Sequence, residues 1–309
     1  MNSIEVYNLT KKFGSFISVD DISFTVNEGE VFGFLGSNGA GKSTTIKMLC
    51  GIISSTSGDA LVGGYSINKD SDRVKLNIGY MSQRFSLYND LTIEENINFF
   101  GGVYGLTGAK LNERKKWVLD IADLNGKEKI LTGSLPGGIK QRLALGTAVI
   151  HSPKIVFLDE PTSGVDPLSR RNFWDLINLL SAQGTTVFVT THYLEEAEYC
   201  NNIILIDAGK LIAEGNPKQL KTKYITDPIF EINCSNPIEA MDLLSKNKNV
   251  LEVSLFGNSL HVLVKDSSDA KEKLIEYIKP VSEIKSIDKI VPTLEDVFIH
   301  LVDKREAND

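Results

Sequence analysis

Val31-Phe32-Gly33-Phe34-Leu35-Gly36-Ser37-Asn38-Gly39-Ala40-Gly41-Lys42-Ser43-Thr44 runs from an apolar strand through a glycine-rich loop into the start of a helix. Gly36, Gly41, Lys42 and Ser43 fit the spacing G-x-x-x-x-G-K-[ST] of a phosphate-binding loop. Glycines let the backbone wrap a triphosphate with its N–H groups turned inward. The helix opening at Lys42 aims its positive dipole end at the same anion. Lys42 adds a point charge for the β- and γ-phosphates, and Ser43 offers a hydroxyl to Mg²⁺.

The flanking sequence places this loop in an α/β domain. Residues 4–9 and 22–26 alternate apolar and polar side chains, as half-buried strands do. Between them Phe13 offers an aromatic face that stacks on a base or packs in a turn. Residues 44–50 continue the helix and Gly51 stops it. Residues 60–67 and 77–82 read as short strands, and Gln83 follows the second with an amide that reaches a metal ion or a water. Thr92-Ile93-Glu94-Glu95 is a capping box, after which Ile93, Ile97, Phe100 and Tyr104 share one helical face. With a further helix at 112–122, residues 87–150 form a helical insert.

Leu135-Pro136-Gly137-Gly138-Ile139-Lys140-Gln141-Arg142 then leads into a helix at 141–150, either as a tight turn or as a second anion-receptive helix start. Lys154-Ile155-Val156-Phe157-Leu158-Asp159-Glu160 has the β-branched, apolar pattern of a fully buried parallel strand, whose C-terminal end is where ligands sit. There Asp159 can hold Mg²⁺ through water and Glu160 can orient an attacking water; the alternative is two solvated charges in a turn made by Pro161. A loop and a helix at 168–180 precede another buried strand at 185–191. His192, at the end of that strand, is either structural, as a lone histidine usually is, or, from its place at the ligand edge, a contact for a γ-phosphate. Residues 203–207 and 210–213 form a hairpin across Ala208-Gly209.

After Pro217 the pattern changes to strand 229–234, helix 237–245, strands 251–256 and 260–264 around Gly257-Asn258, helix 271–278, strand 283–291 and helix 294–302. This β-α-β-β-α-β order is that of a small ferredoxin-like unit. His261 and His300 within it read as structural.

At 309 residues the chain has room for two domains, and its 42% hydrophobic and 24% charged content is ordinary for a globular protein. A net charge of −7 argues against a large nucleic-acid surface. Cys50, Cys200 and Cys234 are too far apart for a metal or redox pair and are expected as reduced, packed thiols. No secretory leader is expected, and no apolar run approaches the roughly 18 residues of a membrane span. Work at a membrane therefore requires another chain.

Residues 36–44, Gln83, 135–141, 155–160, Asp166 and His192 occur in the order of Walker A, Q-loop, signature, Walker B with its glutamate, D-loop and H-loop. Over residues 2–215 the chain resembles the ATP-binding cassette (ABC) superfamily, and Phe13 matches its adenine-stacking aromatic. Pro292-Thr293-Leu294-Glu295-Asp296-Val297-Phe298 resembles the C-terminal segment of ATPase subunits of multidrug, lipid or polysaccharide exporters. The resemblance implies a P-loop ATPase core with an antiparallel β subdomain and a helical subdomain at about 87–150, together a nucleotide-binding domain at 1–216. An accessory α+β domain follows at 217–309. It further implies a head-to-tail dimer with a second cassette, identical or not. Each ATP is then bound by Gly36, Ser37, Asn38, Gly39, Ala40, Gly41, Lys42, Ser43 and Thr44 of one chain and by Leu135, Pro136, Gly137, Gly138 and Asp166 of the other. Mg²⁺ falls to Ser43, Gln83 and Asp159, and catalysis to Glu160, His192, Lys42 and Gln83. A transmembrane permease would dock near residues 88–103 and hold the chain on the cytoplasmic face of the membrane; no nucleic-acid partner is implied.

One departure stands out. The family signature reads Leu-Ser-Gly-Gly-Gln, whereas here it reads Leu135-Pro136-Gly137-Gly138-Ile139, and proline supplies neither hydroxyl nor N–H. Competing classes fit less well. Chromosome-type cassettes are split by long heptads, which are absent here. Translation-type cassettes usually carry two nucleotide domains, whereas this sequence holds one Walker A. A metabolic P-loop kinase accounts for neither the signature nor the H-loop.

Overall fold

The first two strands extend beyond the alternating residues 4–9 and 22–26, and register shifts along β1 keep them paired where the alternation breaks. In the computed structural model, which describes residues 1–83, 86–266 and 269–306, β1 (Asn2–Phe13) and β2 (Phe16–Asn27) pair antiparallel across Gly14-Ser15. The fully buried β3 (Val31–Leu35) leads into α1 (Lys42–Leu49). β4 (Ser57–Val62) and β5 (Tyr65–Ser66) replace the single strand expected at 60–67. Gly63 and Gly64 both take positive φ, 58° and 83°, and turn the chain into a hairpin instead. α2 (Ser71–Asn77) then absorbs the residue expected to start the next strand, β6 (Ile78–Met81). Only Val74 of α2 is buried, which leaves no apolar periodicity to betray the helix.

The helical insert comprises α3 (Ile93–Val103), α4 (Gly108–Ala122) and α5 (Gly137–Ala148). Both halves of the capping box form, with Thr92 Oγ1 accepting from Glu95 N at 3.3 Å and Glu95 Oε2 from Thr92 N at 2.8 Å. β7 (Ile155–Asp159), α6 (Pro167–Ala182), β8 (Thr186–Thr191), β9 (Asn202–Asp207) and β10 (Lys210–Gly215) complete the first compact unit, Met1–Asn216.

The strands form two sheets in this unit. The antiparallel sheet runs β2-β1-β4-β5 and the larger one β10-β9-β3-β8-β7-β6. In the larger sheet β9, β3, β8, β7 and β6 are mutually parallel, and only β10 is antiparallel. The loops after β3, β8, β7 and β6 therefore emerge along one edge of the sheet, which brings Gly36, His192, Glu160 and Gln83 together. Phe24 of β2 stacks on Phe32 and Phe188 at 5.8 and 6.2 Å between centroids and so joins the two sheets in one core.

Arg114 of α4 donates to the carbonyls of Val149 and Ile150 just past the end of α5, at 3.0 and 2.7 Å. Next to them the His151 ring stacks on Tyr104 at 3.6 Å. Burial pushes the His151 imidazole down to about 4, so it stays neutral in the fold at pH 7. The unfolded chain takes up this proton near pH 6.5 and the folded chain only near 4, so stability falls as pH drops through that window. Solvent screening of the partly exposed ring reduces the contribution to about 1–2 kcal/mol. Chemical denaturation at pH 7.5 and 4.5 is expected to show the wild type losing more stability by that margin than His151→Phe, which keeps the aromatic stack. Equal losses would remove His151 from the pH dependence.

The second unit, Pro217–Asp309, opens with α7 (Pro217–Tyr224), a helix not signalled in the sequence because only Pro217 and Leu220 of it are buried. Then follow β11 (Ile229–Cys234), α8 (Pro237–Leu244), β12 (Val250–Phe256), β13 (Ser259–Val264), α9 (Ala270–Ile278), β14 (Ile284–Ile290) and α10 (Leu294–Glu306). The sheet order β12-β13-β11-β14, antiparallel throughout, is the ferredoxin-like arrangement. Ile232, Leu260 and Val262 of the sheet share a core with Leu244 of α8 and with Leu274 and Ile278 of α9. His261 and His300 tie α10 to the sheet through Asp296 at 2.8 Å and Glu252 at 3.0 Å. No helix among the described residues is long and apolar enough to cross a membrane.

Candidate functional site

The glycine-rich loop leaves β3 and returns at α1. Gly36 is buried, and a Cβ there would run into the carbonyl oxygen of Ile206 on β9, so only glycine lets the loop lie this close to the sheet. Ser37, Asn38 and Gly39 are exposed at the crest of the loop, while Ala40 is buried beneath it. Ser18 of β2 donates to Thr44 Oγ1 at 2.9 Å, which fixes the first turn of α1 to the antiparallel sheet.

Lys42 is only 4% exposed. Its ammonium donates to the carbonyls of Gly36 at 2.9 Å and Ser37 at 3.1 Å, and lies 3.2 Å from Glu160 Oε1. Glu160, 7% exposed, follows β7 with φ 47°, a left-handed backbone that costs a non-glycine residue energy. Its N–H donates to the Thr190 carbonyl at 3.1 Å and to Thr190 Oγ1 at 3.0 Å, which anchors the turn on β8. The other carboxylate oxygen accepts from Gln83 Nε2 at 3.0 Å and lies 3.2 Å from His192 Nδ1, without the alignment of a hydrogen bond. Three side chains, one from the start of α1 and two from loops, thus converge on one carboxylate.

Asp159 is buried and accepts from Ser43 Oγ and Thr190 Oγ1, each at 2.9 Å. Burial pushes its carboxyl up, and these two hydroxyls work against the shift. Ser43 and Asp159 thereby put two hard oxygen donors side by side under the phosphate loop, the donor chemistry that suits Mg²⁺. Gln83 is turned toward Glu160 rather than toward this pair.

Phe13 stands at the end of β1, 51% exposed, with Lys11 Nζ 5.1 Å from its ring centroid. It offers a free aromatic face and does not belong to the core.

The residues 135–138 are anchored elsewhere. Pro136 is the N-cap residue of α5 and, as its chemistry dictates, provides no side-chain cap. The α5 helix starts at Gly137, earlier than the expected 141. Gly137 has open space around it, whereas a Cβ on Gly138 would approach Ser169 Cβ of α6 to 2.6 Å. The start of α5 is therefore packed on the start of α6. Asp166 caps α6 itself, accepting from Ser169 N at 2.9 Å. Leu135, Pro136, Gly137, Gly138 and Asp166 thus form one surface of their own, while Lys42, Ser43, Gln83, Asp159, Glu160 and His192 form a single cluster.

Two contacts beside the cluster have no sequence signal of their own. The backbone carbonyl of Pro161 accepts from Gln141 Nε2 of α5, and Thr162 Oγ1 donates to the buried Glu196 at 2.6 Å. Glu196 lies in a short 3-10 helix at Leu194–Tyr199 that the sequence pattern does not announce.

The family described as ABC transporter matches residues 19–163, and that described as ATP-binding protein DrrA1-3-like, C-terminal domain, matches residues 215–302. The chain is 52% identical over 224 residues to the probable multidrug ABC transporter ATP-binding protein YbhF of Escherichia coli (strain K12), covering 72% of this chain and 39% of that relative. It thus spans well under half the length of YbhF. Its likeness to the linearmycin resistance ATP-binding protein LnrL of Bacillus subtilis (strain 168) is 35% identity over 305 residues, 96% of this chain and 97% of the relative. Among solved structures, the dimeric post-hydrolysis state of the ATP-binding cassette MJ0796 bound to ADP and Pi matches with TM-score 0.63 and 26% identity, covering 69% of this chain and 98% of that one.

Proposed function

The chain belongs to the ABC transporter ATP-binding family, and we propose that it is the ATPase subunit of an exporter, driving a separate transmembrane permease by nucleotide-dependent pairing with a second cassette. The observation that carries this reading is the convergence of Lys42, Gln83 and His192 on Glu160 at 3.0–3.2 Å, beside the Ser43–Asp159 pair.

Adenine stacks on Phe13, and the backbone N–H groups of residues 36–44 receive the phosphates. Lys42 turns from its carbonyl partners to the β- and γ-oxygens. Ser43 and Asp159 would hold Mg²⁺, and Gln83 would be a further donor to it on leaving Glu160. Mg²⁺ bound there would offset phosphate charge. Glu160 accepts a hydrogen bond from the attacking water and takes its proton as the water oxygen bonds to the γ-phosphorus and the bond from that phosphorus to the β,γ-bridging oxygen breaks, ADP leaving with the electron pair; His192 contacts the γ-phosphate. Gly137 and Gly138 present unpaired N–H groups to the γ-phosphate bound by the other cassette. With Pro136 in the signature, these N–H groups make that contact without help from a serine hydroxyl. Residues 1–216 serve as the nucleotide-binding domain and residues 217–309 as an accessory domain.

The permease docks at the face that includes Tyr88, Phe99 and Val103, exposed by 49%, 44% and 61%. The names of YbhF and LnrL support a drug- or antibiotic-like cargo. Fractionation tests the arrangement. The chain expressed alone is expected in the supernatant after ultracentrifugation, and in the membrane pellet only when its permease is present. Firm integration into protein-free bilayers would contradict it.

A further inference from the structure

The Pro161–Thr162 turn, which follows Glu160 along the backbone, is held by a series of side-chain contacts that returns to Glu160 through His192. Thr162 Oγ1 donates to Glu196 Oε1 at 2.6 Å, with both residues 1% exposed. The same carboxylate oxygen lies 3.5 Å from Arg170 Nε of α6, an ion pair without hydrogen-bond alignment. Arg170 also donates from Nη1 to Glu195 at 2.8 Å and lays its guanidinium over the Tyr193 ring at 4.2 Å. Tyr193 and His192 have ring centroids 4.1 Å apart, and His192 faces Glu160. The circuit therefore runs from Glu160 through Thr162, Glu196, Arg170, Tyr193 and His192 back to Glu160.

A buried carboxylate is costly to keep, and Glu196 contributes no atom to the nucleotide cluster. One hydroxyl and one guanidinium face its Oε1, while Oε2 is buried with no hydrogen-bond partner among the described residues; what the two contacts fix is the spacing between the Glu160 turn and the His192 arm. Arg170 is also placed to transmit position. On α6, Asp166 is the N-cap, Ser169 packs under Gly138 and Arg170 follows immediately. A displacement of the signature or of Asp166 is thus carried by one helix into the circuit.

We propose that Arg170 and Glu196 are positioning residues that set His192 against Glu160 and couple this pair to the α5–α6 surface facing the second cassette. This rests on the ATPase reading and adds residues that touch neither nucleotide nor water. A planar guanidinium serves where an ammonium does not, because stacking on Tyr193 and pairing with two carboxylates use its fork and its face together.

The test is a kinetic cycle on the full chain with Mg-ATP. Arg170→Met is expected to lower kcat by about 10–100-fold, the range for misplaced catalytic groups, with equilibrium ATP binding unchanged. Arg170→Lys is expected to restore only part of it. In a His192→Ala background, Arg170→Met is expected to cost little more, because its effect passes through His192. Should Arg170→Met not fold, Glu196→Gln takes its place, since it keeps an acceptor for Thr162 and removes the charge facing Arg170. A wild-type chain that binds no nucleotide would refute the ATPase reading and the circuit with it. An active wild type with an equally active Arg170→Met variant refutes the circuit alone. So does a loss that persists in full after His192→Ala.

Discussion

Glu160→Gln is expected to lower ATP turnover by about 10²–10⁴-fold, the usual range for losing a general base, while leaving nucleotide binding intact. Glutamine keeps the volume and still hydrogen-bonds Gln83, but it cannot take a proton from water. The phosphate loop is built by β3, α1 and the close approach of Gly36 to Ile206, none of which depends on the Glu160 charge. Removing that charge also frees Lys42 for phosphate. Steady-state phosphate release and equilibrium nucleotide binding, measured on the same preparation, separate the two effects. Turnover near the wild-type rate would take Glu160 out of the mechanism.

Lys42→Ala is expected to fail differently. A charge-assisted hydrogen bond contributes about 1.5–3 kcal/mol, so each lost phosphate contact weakens ATP binding by about 10–150-fold. The fold suffers as well, because the two side chains are only 4% and 8% exposed and the Glu160 carboxylate is left without its ammonium. Breaking a buried pair from one side costs about 3–5 kcal/mol. Adding Glu160→Gln should recover much of this stability, since a neutral amide needs no counter-charge, without recovering ATP binding. Denaturant titrations of the single and double variants check the first part and nucleotide binding the second. A double variant as unstable as Lys42→Ala would show that the pair is not what holds this part of the fold.

Much of the cluster was legible because it gathers where buried strands end. Asp159 closes β7, Glu160 and His192 follow β7 and β8, Lys42 and Ser43 open the helix that the loop after β3 leads into, and parallel pairing makes strand ends coincide. The strand order itself was not legible: β8 lies between β3 and β7 although it follows both in sequence. Nor was the left-handed backbone of Glu160, which depends on Thr190 receiving its N–H from 30 residues away. Gly63-Gly64 is a turn signal set inside the apolar stretch at 60–67, where the apolar residues alone suggest one strand. The Thr162–Glu196–Arg170 circuit lacked any pattern, since Thr162 and Glu196 are 34 positions apart and neither forms part of a spaced motif. Local chemistry was readable where one segment carries it, and tertiary pairing was not.

That this site binds ATP and that Glu160 drives its hydrolysis is checked by identifying the nucleotide that stays on the chain. Wild type and Glu160→Gln are incubated with Mg-ATP, passed rapidly through gel filtration, denatured, and their nucleotide content is separated chromatographically. Wild type is expected to carry ADP and Glu160→Gln to carry ATP. The same ADP fraction on both, or no nucleotide on either, would contradict the claim.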